Sequence, residues 1–228
     1  MVSGADVGEP LSFAVHDGLR VSARLLLPAA ARACYVLAHG AGAGMDHPFM
    51  RATAAELGAL GIATLRYQFP YMERRSRRPD PPALCHATVR AAVTEAAHLA
   101  PALPLIAGGR SFGGRMTSQA QALEPLAGVR GLAFLGFPLH PAGRPSDGRA
   151  QHLQEIRVPL LFLQGTRDAL AQQALMEALI RRLGAHATLS LTADADHSFH
   201  VPARSGRTAS EVRQGLWRTL GAWLESLL

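Results

Sequence analysis

A serine with glycine two positions to either side stands at Gly109-Arg110-Ser111-Phe112-Gly113, between the apolar run Leu105-Ile106-Ala107-Gly108 and a stretch of helical pattern beginning at Phe112. In a strand-to-helix context this pattern describes a sharp turn that strains the serine backbone and lifts its hydroxyl above a sheet. Where the chain crowds against itself only glycine fits, so Gly109 and Gly113 are the positions the turn demands. The hydroxyl then lies at the start of a helix, and the amide of Phe112 can stabilise a developing oxyanion. The chemistry implied is nucleophilic attack on a carbonyl carbon.

Such a hydroxyl needs a base, and the base needs an orienting carboxylate. The apolar run Leu160-Leu161-Phe162-Leu163-Gln164 leads into Gly165-Thr166-Arg167-Asp168, which puts Asp168 just past a strand terminus. The last strand-like run leads into Asp194-Ala195-Asp196-His197-Ser198-Phe199-His200, so His197 is the expected base. The carboxyl ends of parallel strands open on one edge, where Ser111, Asp168 and His197 can converge from distant parts of the chain. Asp194 and Asp196 are rival acids, but a sequence neighbour rarely reaches the far ring nitrogen, and His200 is the rival base. The loop His39-Gly40-Ala41-Gly42-Ala43-Gly44 offers a second oxyanion donor, with Ala41 chosen and Gly42 as fallback. His39 is expected to hold that loop by hydrogen bonding.

Other chemistries fit less well. The glycines could simply make a tight turn. A phosphate loop would need Lys-Ser/Thr where Gly114-Arg115 stand, and the chain has no lysine. The stretch Gly40 to Gly44 has Met45 where a dinucleotide fingerprint needs its third glycine. His197 and His200 with His39, His47 or Asp46 give only a loose metal set, and the two cysteines are too far apart for a metal pair. No cofactor and no metal are expected.

The elements that must position these groups alternate between strand and helix, which argues for an α/β fold with a mostly parallel sheet of eight strands and helices on both faces. Leu11–Val15 and Val21–Leu27 form a hairpin about His16-Asp17-Gly18. Further strands are expected at Cys34–Ala38, Ile62–Tyr67, Leu105–Gly108, Val129–Phe137, Pro159–Gln164 and Ala187–Leu191. Helices are expected at Pro48–Gly58, Ala83–Leu99, Phe112–Leu123, Gln172–Leu183 and Ser210–Leu228, the last amphipathic, with Pro70–Pro82 as a loop. No repeat or linker interrupts 1–228, so one domain is the economical reading.

Composition sets the outer bounds. The chain has 228 residues with 48% hydrophobic and 18% charged, enough for a sizeable core. Cys34 and Cys85 sit far apart in apolar surroundings, which makes a disulfide framework improbable and a reducing cytoplasm the default. Asp6, Glu9, His16, Asp17, Arg20 and Arg24 break any signal or membrane span near the start. The net charge of +6 would ordinarily raise nucleic acid as a partner. Every basic residue is arginine, however, and asparagine is absent while alanine abounds, a bias that points to GC-rich coding in a bacterium rather than to phosphate binding. Neither nucleic acid nor membrane is therefore expected as a partner; the protein would act as a monomer or homodimer.

Over residues 34 to 200 the sequence resembles the α/β-hydrolases, and among them a small lidless bacterial branch of dienelactone-hydrolase type. That branch is similar to a eukaryotic testis-expressed protein and a chromatin-complex regulatory subunit. The matching segments are His39-Gly40-Ala41-Gly42, Phe69-Pro70-Tyr71-Met72-Glu73, Gly109 to Arg115, Gly136-Phe137-Pro138-Leu139-His140-Pro141, Gln164 to Asp168 and Asp196-His197-Ser198-Phe199. The resemblance implies Ser111 as nucleophile, Asp168 as acid and His197 as base, on that fold; Phe112 departs from the methionine more usual there. It also implies a rival, a non-catalytic scaffold as among eukaryotic relatives; the same triad further admits an acyltransferase or thioesterase. The expected activity is cleavage of small-molecule carboxylic esters through an acyl-enzyme.

Only residues 138 to 157 separate Phe137 from Val158, too few for a cap domain, so the site should be shallow and open. Phe69, Tyr71, Met72, Phe137, Leu139, His140 and Phe199 fall in loops at that edge and are expected to line an apolar cleft. The run Arg74-Arg75-Ser76-Arg77-Arg78 is read first as a solvated loop and second as an attractor of anionic substrates. Arg110 is expected to steady the turn through a carboxylate or carbonyl.

Overall fold

The computed structural model describes residues 8–228. Asp6, and the first seven residues of the expected 1–228 domain, lie outside the described residues. Eight strands form one sheet: β1 (Glu9–His16), β2 (Leu19–Leu26), β3 (Ala33–Ala38), β4 (Ile62–Tyr67), β5 (Leu105–Arg110), β6 (Val129–Leu135), β7 (Leu160–Gly165) and β8 (Ala187–Thr192). Their order is β1-β2-β4-β3-β5-β6-β7-β8. β1 and β2 pair antiparallel, as do β2 and β4, and every later pair is parallel. The expected fold class is the one observed.

The central strands are short and almost wholly buried because both faces of the sheet are covered, and they are apolar apart from a few residues such as Thr64 and Arg66. Along β3, Cys34, Val36 and Ala38 enter one core while Ala33, Tyr35 and Leu37 enter the other. The first core is closed by the helices α3 (Pro82–Leu99), α4 (Phe112–Leu123) and α5 (Gln173–Leu183), through residues such as Val89, Met116 and Met176. The second is closed by α1 (Pro48–Ala59) and α6 (Ala209–Glu225), through Met50, Leu57, Val212, Leu216, Leu220 and Leu224. Thr208 and Glu211 complete a capping box at the start of α6, each satisfying the other's backbone amide.

Two expectations need correction. The loop expected over Pro70–Pro82 contains a one-turn helix, α2 (Pro70–Glu73), with Pro70 at its first position. The strand expected to reach Phe137 ends at Leu135, because Gly136 turns out of it with φ 74°. Between β6 and β7 the chain makes only a 3-10 stretch, Gly148–Glu155, whose Ala150 and Leu153 pack into the first core beside α4. No element of this connection covers the sheet edge at Ser111.

Candidate active site

Ser111 directly follows β5 and is the residue before α4, with φ 48° and ψ −113°. A side chain at positive φ is strained, so the surroundings must hold it there. They do so on both sides: the Ser111 amide donates to Leu135 O at 3.2 Å, and its carbonyl accepts from Arg115 N at 3.1 Å. The glycines are demanded chiefly by β3. A Cβ on Gly109 would stand 2.2 Å from the Ala38 carbonyl oxygen, and one on Gly113 would stand 2.4 Å from that of His39.

His197 Nε2 lies 2.8 Å from Ser111 Oγ, and His197 Nδ1 lies 2.7 Å from Asp168 Oδ2. The second contact assigns the proton to Nδ1, leaving Nε2 as the acceptor of the serine hydroxyl. The Asp168 side chain is fully buried while the imidazole remains partly open. A buried carboxylate must be matched by donors. Asp168 Oδ1 accepts from Leu170 N at 2.7 Å, and Oδ2 also accepts from Gln164 Nε2. Gln164 is fixed in turn, accepting from Phe137 N at 2.9 Å.

The rival residues do other work. Asp196 Oδ1 accepts from the amides of Ser198 at 2.8 Å and His200 at 2.9 Å, so it shapes the loop that carries His197. The His200 ring faces Asp196 at 3.8 Å and is largely exposed. Asp194 turns at φ 58°, and its amide donates to Thr166 Oγ1 at 2.8 Å.

His39 holds the loop after β3. Its Nδ1 donates to Gly40 O at 2.8 Å, and its Nε2 accepts from Phe69 N at 3.0 Å. Burial lowers its pKa to about 4, so it is neutral near pH 7. Ala41 follows and lines the cavity beside Ser111, while the Phe112 amide is at the first position of α4, where no helical acceptor exists for it.

A cavity of about 630 Å³ opens against Ser111 and His197. Its walls include Pro48, Phe49 and Ala52 from the start of α1, Leu170 from the loop after Asp168, and Phe199. The expected apolar lining is largely corrected. Phe69, Tyr71, Phe137 and Leu139 are fully buried and belong to the first core, where Phe69 meets His39 edge-on at 5.0 Å and Phe137 meets Phe134 at 5.2 Å. His140 is buried and ties loops together, its Nε2 accepting from Gln172 N at 3.1 Å. Met72 packs against Gly44 and the first core, away from the cavity walls. Of the seven expected residues only Phe199 lines the cavity.

The apolar surface comes instead from α1, which follows the Ala41 loop directly, so chain proximity to that loop was the signal available. Arg213, on α6, also lines the cavity and carried no local signal. None of the residues 74–78 lines it; Arg74 pairs with Asp80. Arg110, in the cavity wall, donates to Ser198 Oγ at 3.0 Å and lies over the Phe49 ring; the expected carboxylate support comes from Asp196 and Asp168 through charge alone.

The antiparallel entry, the parallel body and the strained serine after the fifth strand define an α/β-hydrolase fold. The chain belongs to the family described as alpha/beta hydrolase domain, whose model matches residues 31–225. In structure it is similar to dienelactone hydrolase from Anabaena variabilis, with a TM-score of 0.76 and 20% identity over 96% of this chain and 97% of that one. It is also similar to an α/β serine hydrolase homologue from Coxiella burnetii, with a TM-score of 0.74 and 19% identity over 96% of this chain and all of that one, 100%. An α/β serine hydrolase without lid from Xanthomonas campestris matches with a TM-score of 0.72 and 21% identity over 94% of each chain. At these identities the likeness speaks to the fold. No helix among the described residues is long and apolar enough to cross a membrane.

Proposed function

We propose that the protein is a serine hydrolase that cleaves carboxylic esters through an acyl-enzyme. The observation that carries this reading is the continuous relay from Ser111 Oγ to His197 Nε2, at 2.8 Å, and from His197 Nδ1 to Asp168 Oδ2, at 2.7 Å. His197 takes the hydroxyl proton as Ser111 Oγ bonds to the ester carbonyl carbon. The amides of Ala41 and Phe112 receive the oxyanion, and Asp168 stabilises the imidazolium. Collapse breaks the carbon–oxygen bond to the alcohol, which leaves with the proton from His197. Water then repeats the sequence on the acyl-serine and frees the acid.

The open cavity suits small or exposed esters. Replacing Ser111 by alanine should lower the turnover of a short p-nitrophenyl ester on the order of 10⁴-fold or more while the protein stays folded. A fluorophosphonate probe should label the wild-type chain, and peptide mapping should place the label on Ser111. Unchanged turnover in that variant, or a label on another residue, would sink the assignment.

A further inference from the structure

We propose that Arg110 is a positioning residue: its guanidinium locks the loop carrying His197 in register with Ser111, a role that rests on the hydrolase reading above. Arg110 is the last residue of β5 and immediately precedes Ser111. Its Nη2 donates to Ser198 Oγ at 3.0 Å, and Ser198 is the residue after His197. Its guanidinium carbon stands 4.5 Å above the Phe49 ring, and that ring stacks on Phe199 with 6.1 Å between centroids and 9° between planes. Ser198 and Phe199 are thus held, by a hydrogen bond and through a stacked ring, from the residue beside the nucleophile. The stem of Arg110 also lies against Gly40, where an added Cβ would come 3.8 Å from its Cγ, so the same side chain touches the loop of Ala41.

The base loop needs such a tie. Phe199 holds φ 60° and Asp194 φ 58°, both strained for residues with side chains. Asp196 closes the loop on itself, capping Ser198 and His200 while its own amide donates to His200 O at 2.9 Å. The loop is tied to the end of β7, where Asp194 N donates to Thr166 Oγ1 at 2.8 Å and Arg167 N to Ala195 O at 2.9 Å. None of those bonds reaches β5. Arg110 makes that link from β5, and its planar fork and cation over a ring are matched by no shorter or apolar side chain. Arg110 Nη1 is buried without a hydrogen-bond partner. Burial opposes the Arg110 charge, and the nearby Asp196 and Asp168 carboxylates favour it.

The test compares wild type with Arg110→Met, Arg110→Lys, Ser198→Ala and the Arg110→Met/Ser198→Ala double variant. For each, kcat and KM are measured on p-nitrophenyl butyrate and on p-nitrophenyl hemisuccinate, with the rate of fluorophosphonate labelling as a substrate-independent reading. Arg110→Met should lower kcat and the labelling rate by roughly 10- to 100-fold, equally for the neutral and anionic esters, with KM little changed. Ser198→Ala should show a smaller loss of the same kind, the double variant should be no worse than Arg110→Met, and Arg110→Lys should recover part of the rate.

Losses in the double variant that multiply would overturn the proposal. So would an effect that appears in KM for the hemisuccinate alone, which would make Arg110 a substrate contact. Should Arg110→Met fail to fold by circular dichroism, Ser198→Ala alone decides: a kcat equal to wild type overturns the tie. A wild-type chain that resists the probe sinks the hydrolase reading itself, whereas a labelled wild type with unchanged variants sinks only the role of Arg110.

Discussion

Ser111 carries backbone strain of about 1–3 kcal/mol that its side chain alone cannot justify. Glycine relieves it and alanine does not, so Ser111→Gly should exceed Ser111→Ala in stability by about 1 kcal/mol in urea unfolding, even after glycine's greater chain entropy. Asp168→Asn should keep the packing but offer an amide where the Nδ1 proton needs an acceptor. Esterase kcat should fall by about 10³- to 10⁴-fold. His39 and His152 are both held at about 4 by burial, the second also by Arg115 nearby. Between about pH 6.5 and 4 the unfolded chain takes up these protons while the folded chain does not, so stability should fall as the pH is lowered through that window, by up to about 1.4 kcal/mol per pH unit per histidine. His152→Gln should make that slope shallower, read from denaturant midpoints at pH 7 and 4.5. At this scale the converging serine, aspartate and histidine were legible because each follows a recognisable strand end in a fixed chain order. The cavity walls were not: whether an aromatic near an edge faces the core or the solvent depends on neighbours such as His39 and Phe134 that no local pattern names.

The turn between β5 and α4 works because β3 runs close against it, a tolerance that belongs to the elements rather than to one side chain. Gly113→Ala would push a methyl against the His39 carbonyl and should destabilise the protein by about 3 kcal/mol or more, measured by thermal unfolding. The limits of β4 and α4 are legible in the sequence, since Gly58 and Gly61 mark the start of the strand and helical spacing marks the helix. The short helix α2 was not, because a single turn is too brief to show a period, and β6 was overextended because the apolar run continues through a glycine that leaves the sheet.

Two cores on opposite faces of one sheet make the molecule depend on its last helix. Ending the chain at Arg207 would uncover Met50, Leu57, Ile106 and Leu161 on the second face. Such a truncated chain should lose cooperative thermal unfolding and near-ultraviolet circular dichroism. Fold class was the most legible property, because alternation along the whole length averages over errors at single boundaries. The connection from β6 to β7 folds sideways onto α4 and leaves the edge above Ser111 bare. With no gate among the described residues to swing aside, progress curves should start without a lag, and the rate should follow dissolved ester smoothly, with no jump where droplets form at the solubility limit.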